Sequence, residues 1–468
     1  MLSTKFLRLF IICVFTCSSF AVIAQNQAEV WLTKADRSVL FAKQTSKLSF
    51  NVAKNNLPTI TVNDKEIYQT IDGFGYALTG GSAQHIVKMS AQARAALLKE
   101  LFATDGNNIG VSYIRLSIGA SDLNEKVFSY NDLPEGQTDL TQAKFDLGPD
   151  KVDVIPVMKE ILAINPKLKI MGSPWSPPLW MKTTYDARGG MLKPEYYDAY
   201  ARYFVRYVQE MQKEGIPIDA VTVQNEPLHP GNNPSLLMVA PDQAFFVKKF
   251  LGPAFAKANI KTKIIVYDHN ADRPDYPISI LDDPEAKKYI DGSAFHLYGG
   301  KIEALTDVHN AHPDKNIYFS EQMVVEQPDA ADIKIVNPVK RLIIGATRNW
   351  SKNVLEWNLA ADPENKPYTD RGGCSMCQGA VTIDKDTYSR NLAYYSIAHA
   401  SKFVRPGAVR VATNDLADLP NVAFKTSGGK HVLIVANSGK SANTFNIVFN
   451  GKTLVAMLDK GSVATYIW

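Results

Sequence analysis

The sequence predicts an α/β protein: a closed (β/α)8 barrel with an antiparallel β-sandwich assembled from both ends of the chain. Three observations predict it. Apolar strand-like runs alternate with amphipathic helical patterns through the middle, which implies a parallel sheet. Eight such units fall between residues 66 and 405, enough for a barrel whose usual core is ~250 residues, plus insertions. The two ends instead carry short alternating runs punctuated by Gly, Asn and Ser, the pattern of antiparallel strands.

The elements read in order as follows. Residues 1–24 form a separate unit: Lys5 and Arg8 precede the apolar run Leu9–Phe15, and Val22-Ile23-Ala24 precede Gln25 as a small-residue cleavage site would. This is the pattern of a secretory signal and is too short for a membrane span. A lipid-modified Cys17 fits poorly, because the bulky Phe15 and Thr16 precede it. The chain is therefore expected to be secreted or periplasmic. Residues 28–65 hold the runs LSFNV and TITVN and are expected to open the sandwich. The barrel follows over residues 66–405, its strand runs being TIDGFGYALTGG, VSYIRLSIGA, LKIMGSPWSPP, DAVTVQNEP, TKIIVYDHN, DGSAFHLYGG, NIYFSEQ and NVLEWNLAAD. Between them, Ser90–Leu101, Val152–Ile164, Glu195–Glu214 and Asp242–Ala258 carry helical periodicity. Residues 406–468 close the sandwich with RVAT, VAFKT, HVLIVANS, TFNIVFN and SVATYIW.

Composition narrows the function. The chain has 468 residues, with 51 Lys and Arg against 47 Asp and Glu. Without residues 1–24 the balance is 49 against 47, or +2, so no global field gathers polyanions and nucleic acid is not an expected partner. No later stretch has the length and apolarity of a membrane helix, so stable membrane insertion is not expected. Of four cysteines, Cys13 and Cys17 leave with the leader. Cys374 and Cys377 remain in RGGCSMCQGA, without a second pair or a nearby histidine for zinc, and without a thioredoxin-like context. They read as structural, a local disulfide or two loop thiols. GFGYALTGG approaches a dinucleotide loop, but Leu78 stands where the third glycine belongs. No P-loop, HExxH or GxSxG string is present, and the eight histidines are scattered, so neither a metal site nor a cofactor is expected.

The chemistry is expected where barrel strands end. The βα loops make a concave mouth there, and functional groups gather in it. Glu226 closes the fourth strand run in DAVTVQNEP, and Glu321 closes the seventh in NIYFSEQ. A single such glutamate would be a solvated loop residue. Two at strand ends of one barrel can face one cleft, and two carboxylates across a sugar are what glycoside hydrolysis requires. Glu226 is expected to be the acid/base, with its pKa raised by a partly apolar pocket and an opposing anion. Glu321 is expected to be the ionised nucleophile, held so by Arg115. Asn225 is placed to donate to a sugar hydroxyl. Trp175, Trp180, Tyr298 and Trp357 offer flat faces for sugar C–H surfaces at the same mouth. His296, Asp268 and His269 are expected to orient catalytic groups or to touch substrate.

Taken together, GFGYALTGG, YIRLSIGASD, GSPWSPPLWMK, VTVQNEP, FHLYGG, FSEQ, EWNLA and HASKFVRPGAVRV resemble glycoside hydrolase family 30, from about Ile71 to Arg410. The family includes glucosylceramidases, β-1,6-glucanases and some xylanases. The resemblance implies a retaining mechanism, Glu226 as acid/base and Glu321 as nucleophile. It also implies sugar contacts from Trp175, Asn225, Tyr298 and Trp357. One departure stands out: the glucosylceramidase branch has an aspartate after the first-strand threonine, and this chain has Gly80 after Thr79. Losing that carboxylate is expected to open the pocket wall. LTGGSA and GGCSMCQGAVTID are more similar to the bacterial β-1,6-glucanase branch, so the expected substrate is β-1,6-linked glucan. A glucosylceramide-like glucoside or a xylan is the alternative within the family, and a non-catalytic carbohydrate-binding barrel the alternative outside it.

Overall fold

A computed structural model describes residues 27–52, 55–327 and 330–468. The leader and its cleavage site lie outside the described residues. Eight parallel strands form the barrel: β1 (Gly73–Leu78), β2 (Tyr113–Ser117), β3 (Lys169–Ser173), β4 (Ala220–Thr222), β5 (Lys263–Ala271), β6 (Ile290–Gly300), β7 (Asn316–Glu321) and β8 (Asn353–Asn358). Hydrogen-bonded neighbours run β7-β6-β5-β4-β3-β2-β1-β8. The ring closes between β7 and β8 through a bridge between Ile317 and Ser351 and the bond from Lys352 N to Ile317 O, 2.9 Å.

Period-two alternation builds the inside of the barrel in layers. Tyr113, Met171, Ala220, Ile265, Ala294, Tyr318 and Leu355 form one buried apolar layer, one residue from each of β2 to β8. Two residues further along, at the mouth, stand Arg115, Ser173, Thr222, His296, Ser320 and Trp357. The apolar layer is therefore the floor on which the polar site rests. β1 can pack so closely on β2 because Gly75 has no side chain: a Cβ there would meet Tyr113 O at 1.9 Å.

The helices lie close to where their periodicity puts them. Ala91–Phe102 is capped by Ser90, whose side chain accepts from Ala93 N, and Val154–Ile164 by Asp153. Tyr197–Lys213 buries one face, including Tyr200, Tyr203, Phe204 and Tyr207, against the barrel.

The termini share one sheet, as the alternating runs predict. Gln27–Thr33 pairs with Val463–Ile467, and Thr59–Thr70 lies between Val409–Thr413 and Asn443–Phe449. The sheet curls until Asn51 and Thr453 exchange both backbone hydrogen bonds at 2.8 Å. It encloses a core of its own that includes Ile60, Phe445, Leu433, Tyr466 and Trp468. This β-sandwich joins the barrel directly at both ends.

Candidate active site

The mouth layer carries a polar network centred on Arg115, which is fully buried. Its guanidinium donates to Glu321 Oε2 at 2.5 Å, Asp268 Oδ2 at 2.8 Å, Asn225 Oδ1 at 2.7 Å and Ser173 Oγ at 3.0 Å. It also lies over the Trp175 ring, 4.7 Å from the centroid. A planar fork of donors can hold two carboxylates and an amide in one plane, which an ammonium could not do.

Two irregularities in the strands aim this network. Along β5 the register with β6 steps from Tyr267 to His269, and Tyr267 and Asp268 both take positive φ (73° and 66°). The bulge turns Tyr267 outward onto Phe295 and Tyr276, and Asp268 inward. A second step, between Phe319 and Glu321, turns both Ser320 and Glu321 inward. Asp268 then accepts from Thr222 Oγ1 at 2.6 Å and Ser320 Oγ at 2.5 Å as well as from Arg115. Glu226 lies four residues past the end of β4, with φ +45°. That conformation costs about 1–3 kcal/mol in a non-glycine residue and persists where surrounding contacts impose it. Here Glu226 N donates to Asp268 O at 3.0 Å, and Glu226 O accepts from His229 N at 2.9 Å.

His296 ties the two glutamates together. Its Nδ1 lies 3.3 Å from Glu226 Oε1 and 3.8 Å from Glu321 Oε1, so those oxygens are at most 7.1 Å apart (3.3 plus 3.8). Its Nε2 lies 3.1 Å from Asp268 Oδ1. Glu226 is also reached by Asn232 Nδ2 at 3.1 Å and by His269 Nδ1 at 3.7 Å. Tyr298 donates its hydroxyl to Glu321 Oε1 at 3.0 Å and accepts from Met323 N. Glu226, His269 and His296 bring metal-type donor atoms within 4.8 Å of one another. Both nitrogens of His296 are engaged by carboxylates in the contacts just described.

The electrostatics correct one expectation. Burial alone would lower the His296 imidazole, but the charge on Glu321 and the hydrogen bonds with Asp268 and Glu226 outweigh it and hold the ring at about 9. Burial alone would raise Glu226, but the imidazoles of His269, 3.7 Å away, and His296, hydrogen-bonded at 3.3 Å, hold it well below the usual carboxylate range. Glu321 is raised, chiefly by burial, against the opposing pull of His296 and Arg115. In the free site the proton thus rests on His296 beside Glu226, and not on Glu226 itself as the sequence suggested. The sequence could not show a histidine 70 positions away closing on that carboxylate.

A hollow of about 260 Å³ opens between the two glutamates, lined among others by Asp122, Asn232, Tyr298, Met323, Trp357 and the Cys374–Cys377 disulfide. Trp357 stacks on Trp175 at 5.3 Å between centroids, and Cys377 packs with both indoles. The disulfide faces Met323, its Cys377 Sγ 3.4 Å from Met323 Sδ. One wall is therefore indole and sulfur, and the other imidazole, amide and carboxylate.

Other sequence-predicted groups divide between this hollow and its support. Glu226, Glu321, Tyr298 and Trp357 line it. Asn225 has its Oδ1 taken by Arg115, leaving its N–H2 to offer. Arg115 and His296, expected among substrate-touching groups, are fully buried and act through the carboxylates they hold. Trp175 is likewise buried, behind Trp357. Trp180 lies away from the hollow: its Nε1 donates to Asn131 O and its ring meets Tyr196 edge-on. Gly80 does not open the wall either, because Asn124 fills the space beside it; a Cβ there would meet Asn124 Nδ2 at 1.9 Å. Two functional groups escaped sequence reading. Asp122 stands in the hollow with Oδ1 unpartnered, and burial together with the charges of Glu321 and Glu226 raises it well above the usual carboxylate range. Asn232 holds Glu226 from a loop that looks like simple turn sequence. Only the position of Asp122 just past the second strand run hinted at a role.

Two carboxylates across one hollow, with an indole face beside them, are the equipment for breaking a bond between sugars. The barrel that presents them makes this protein a glycoside hydrolase. It belongs to glycosyl hydrolase family 30: residues 71–404 match that family's TIM-barrel domain and residues 407–466 its beta sandwich domain. An endo-1,6-beta-D-glucanase of Neurospora crassa is 33% identical over 85% of this chain and 85% of its own length. The solved endo-beta1,6-glucanase BT3312 superposes with a TM-score of 0.87 at 34% identity, covering 94% of this chain and 99% of that one. A putative glucosylceramidase 1 of Caenorhabditis elegans is 28% identical over 91% of this chain and 84% of its own.

Proposed function

We propose that this enzyme hydrolyses β-1,6-linked glucan with retention of anomeric configuration, Glu321 acting as nucleophile and Glu226 as acid and then base. The observation that carries the mechanism is the meeting of both carboxylates on one imidazole nitrogen. Their limit of 7.1 Å reaches down into the ~5–5.5 Å of retaining enzymes and leaves out most of the ~6.5–9.5 Å of inverting ones. The substrate rests on the relatives: those at 33–34% identity act on β-1,6-glucan, against 28% for the glucosylceramidase.

In the first step a Glu321 oxygen attacks the anomeric carbon, the bond to the leaving oxygen breaks, and that oxygen takes a proton from Glu226. Arg115 and Tyr298 hold the Glu321 oxygens in place for attack. As Glu321 becomes an ester its charge disappears, and with it the largest influence that keeps the proton on His296. The proton Glu226 delivers is therefore this one: the imidazolium passes it across 3.3 Å to Glu226 as Glu226 releases it to the leaving oxygen, so the step ends with His296 neutral and Glu226 ionised. In the second step Glu226 takes a proton from water, the water oxygen attacks the same carbon, and Glu321 leaves as carboxylate, whose restored charge draws that proton from Glu226 back to His296. Trp357 packs on the ring face, Asp122 accepts from hydroxyls, and Asn225 donates to one. Export, to periplasm or medium, is the reading of residues 1–24, and a disulfide suits an oxidising compartment.

The assay is hydrolysis of pustulan (a β-1,6-glucan), laminarin, xylan, glucosylceramide and an aryl β-glucoside. Pustulan is expected to be the preferred polymer, and Glu321→Gln to abolish activity by several orders of magnitude. A variant that keeps most of its activity would refute the nucleophile assignment. Proton NMR should show the β-anomer first, and an initial α-anomer would refute retention.

A further inference from the structure

A second hollow opens on the same mouth. It measures about 380 Å³, against about 260 Å³ for the one between the glutamates. Its lining comes from the loops after β2, β3, β4 and β8, and includes Phe128, Ser176, Tyr185, Asp186, Pro234 and Arg371. The two hollows are neighbours by chain continuity. Pro234 is two residues from Asn232, and Arg371 three from Cys374, where Asn232 and Cys374 line the first hollow. At 3.8 Å between consecutive Cα atoms, lining residues of the two hollows lie within roughly 8 and 11 Å of each other, Cα to Cα, at these two places.

We propose that this second hollow is a binding subsite for another glucosyl unit of the same β-glucan chain. Tyr185 supplies its platform. The residue is 41% exposed, yet its hydroxyl donates to Leu133 O at 2.5 Å, so the ring is already fixed and stacking costs little ordering. Arg371 and Asp186 form a two-bond pair at 3.0 and 3.1 Å, with about half of each side chain open to solvent. A pair so exposed adds little to stability. It does present N–H donors and carboxylate acceptors side by side, the complement of neighbouring sugar hydroxyls.

The loops are held by other means, so this hollow is preformed. The ammonium of Lys182, buried at 2% exposure, donates to Ala187 O and Ser235 O at 2.7 and 2.8 Å. Ser235 N donates to Ala187 O, and Asn233 Nδ2 to Asp370 Oδ1, both at 2.9 Å. Three of the four lining loops are joined by these bonds. A glycolipid carrying one sugar has no use for a second polar hollow, whereas a glucan chain has.

The inference rests on the glucan reading of the catalytic hollow, and the test separates the two. kcat and KM are measured for wild type, Tyr185→Ala and Arg371→Ala on pustulan and on an aryl β-glucoside, with Tm as a folding check. Both variants are expected to lose roughly tenfold in kcat/KM on pustulan, mainly through KM, as loss of one stacked or charged contact would give. The aryl glucoside, which ends at the first hollow, should change by less than about twofold. Unchanged pustulan kinetics, or equal losses on both substrates at unchanged Tm, would overturn the subsite. Should wild type cleave laminarin or xylan and not pustulan, the substrate reading falls, and the same comparison on the cleaved polymer still decides the subsite.

Discussion

Replacing His296 by asparagine tests the proton arrangement at the centre of the mechanism. The imidazole faces charged or titratable groups from every side: Glu226 beyond β4, Asp268 and His269 on β5, Glu321 on β7, Arg115 on β2 and Tyr298 on its own strand. Its pKa rises from 6.5 to about 9 on folding. At 1.36 kcal/mol per unit this corresponds to about 3 kcal/mol. The sign follows from proton binding. The folded protein keeps a proton that the unfolded chain releases above 6.5, so the contribution is fully present below pH 6.5 and is lost as pH rises through 9. His296→Asn removes this contribution while leaving the carboxylates in place. The stability gap between wild type and variant, from chemical denaturation, should narrow by about 3 kcal/mol between pH 6 and pH 10. Over the same range, wild-type kcat/KM should fall with an alkaline limb near 9, and the variant should lose that limb. A gap that stays constant with pH would show that His296 is neutral in the folded protein and would refute the proton store.

Two further outcomes are expected. Glu356 is buried on β8 beside Ser396 and Tyr76, its carboxyl oxygens without hydrogen-bond partners among the described residues, and burial pushes it well above the usual range. Because the unfolded chain sheds a proton here that the folded one keeps, stability declines as pH rises above about 4.3, and Glu356→Met should raise Tm at pH 7 by removing that cost; a lower Tm at both pH 4 and pH 7 would contradict it. Cys374→Ala/Cys377→Ala should raise KM for glucan severalfold by loosening the wall on Met323, with kcat within about twofold and about 2 kcal/mol of stability lost for so short a loop; unchanged KM would show that the sulfur wall does not meet substrate.

Much of the fold was legible because it follows from local patterning. Alternation of apolar strand runs with helical periodicity marked all eight barrel strands, and period two in the ends marked the sandwich. The sequence marked Cys374 and Cys377 as structural but left a disulfide and two loop thiols open, and the structure joins them. Glu226 and Glu321 were readable as a pair, because two carboxylates that close strand runs of one barrel can face one cleft, as they do here across His296. The retained glycine after Thr79 misled, since sequence shows that a side chain is missing and cannot show that Asn124 occupies its place.

What the sequence alone determined is therefore the order of elements and the types of group at the strand ends, both set by the residues themselves and their immediate neighbours. The tertiary structure alone decided where those groups point and which of them holds the proton. The bulges at Tyr267-Asp268 and at Ser320 turn side chains by half a pleat, and they are set by pairing between strands. The charge on His296 depends on carboxylates that arrive from β5, β7 and the loop beyond β4. Such fields fall off over a few ångströms of space whatever the separation along the chain, which is why they appear only once the barrel is closed.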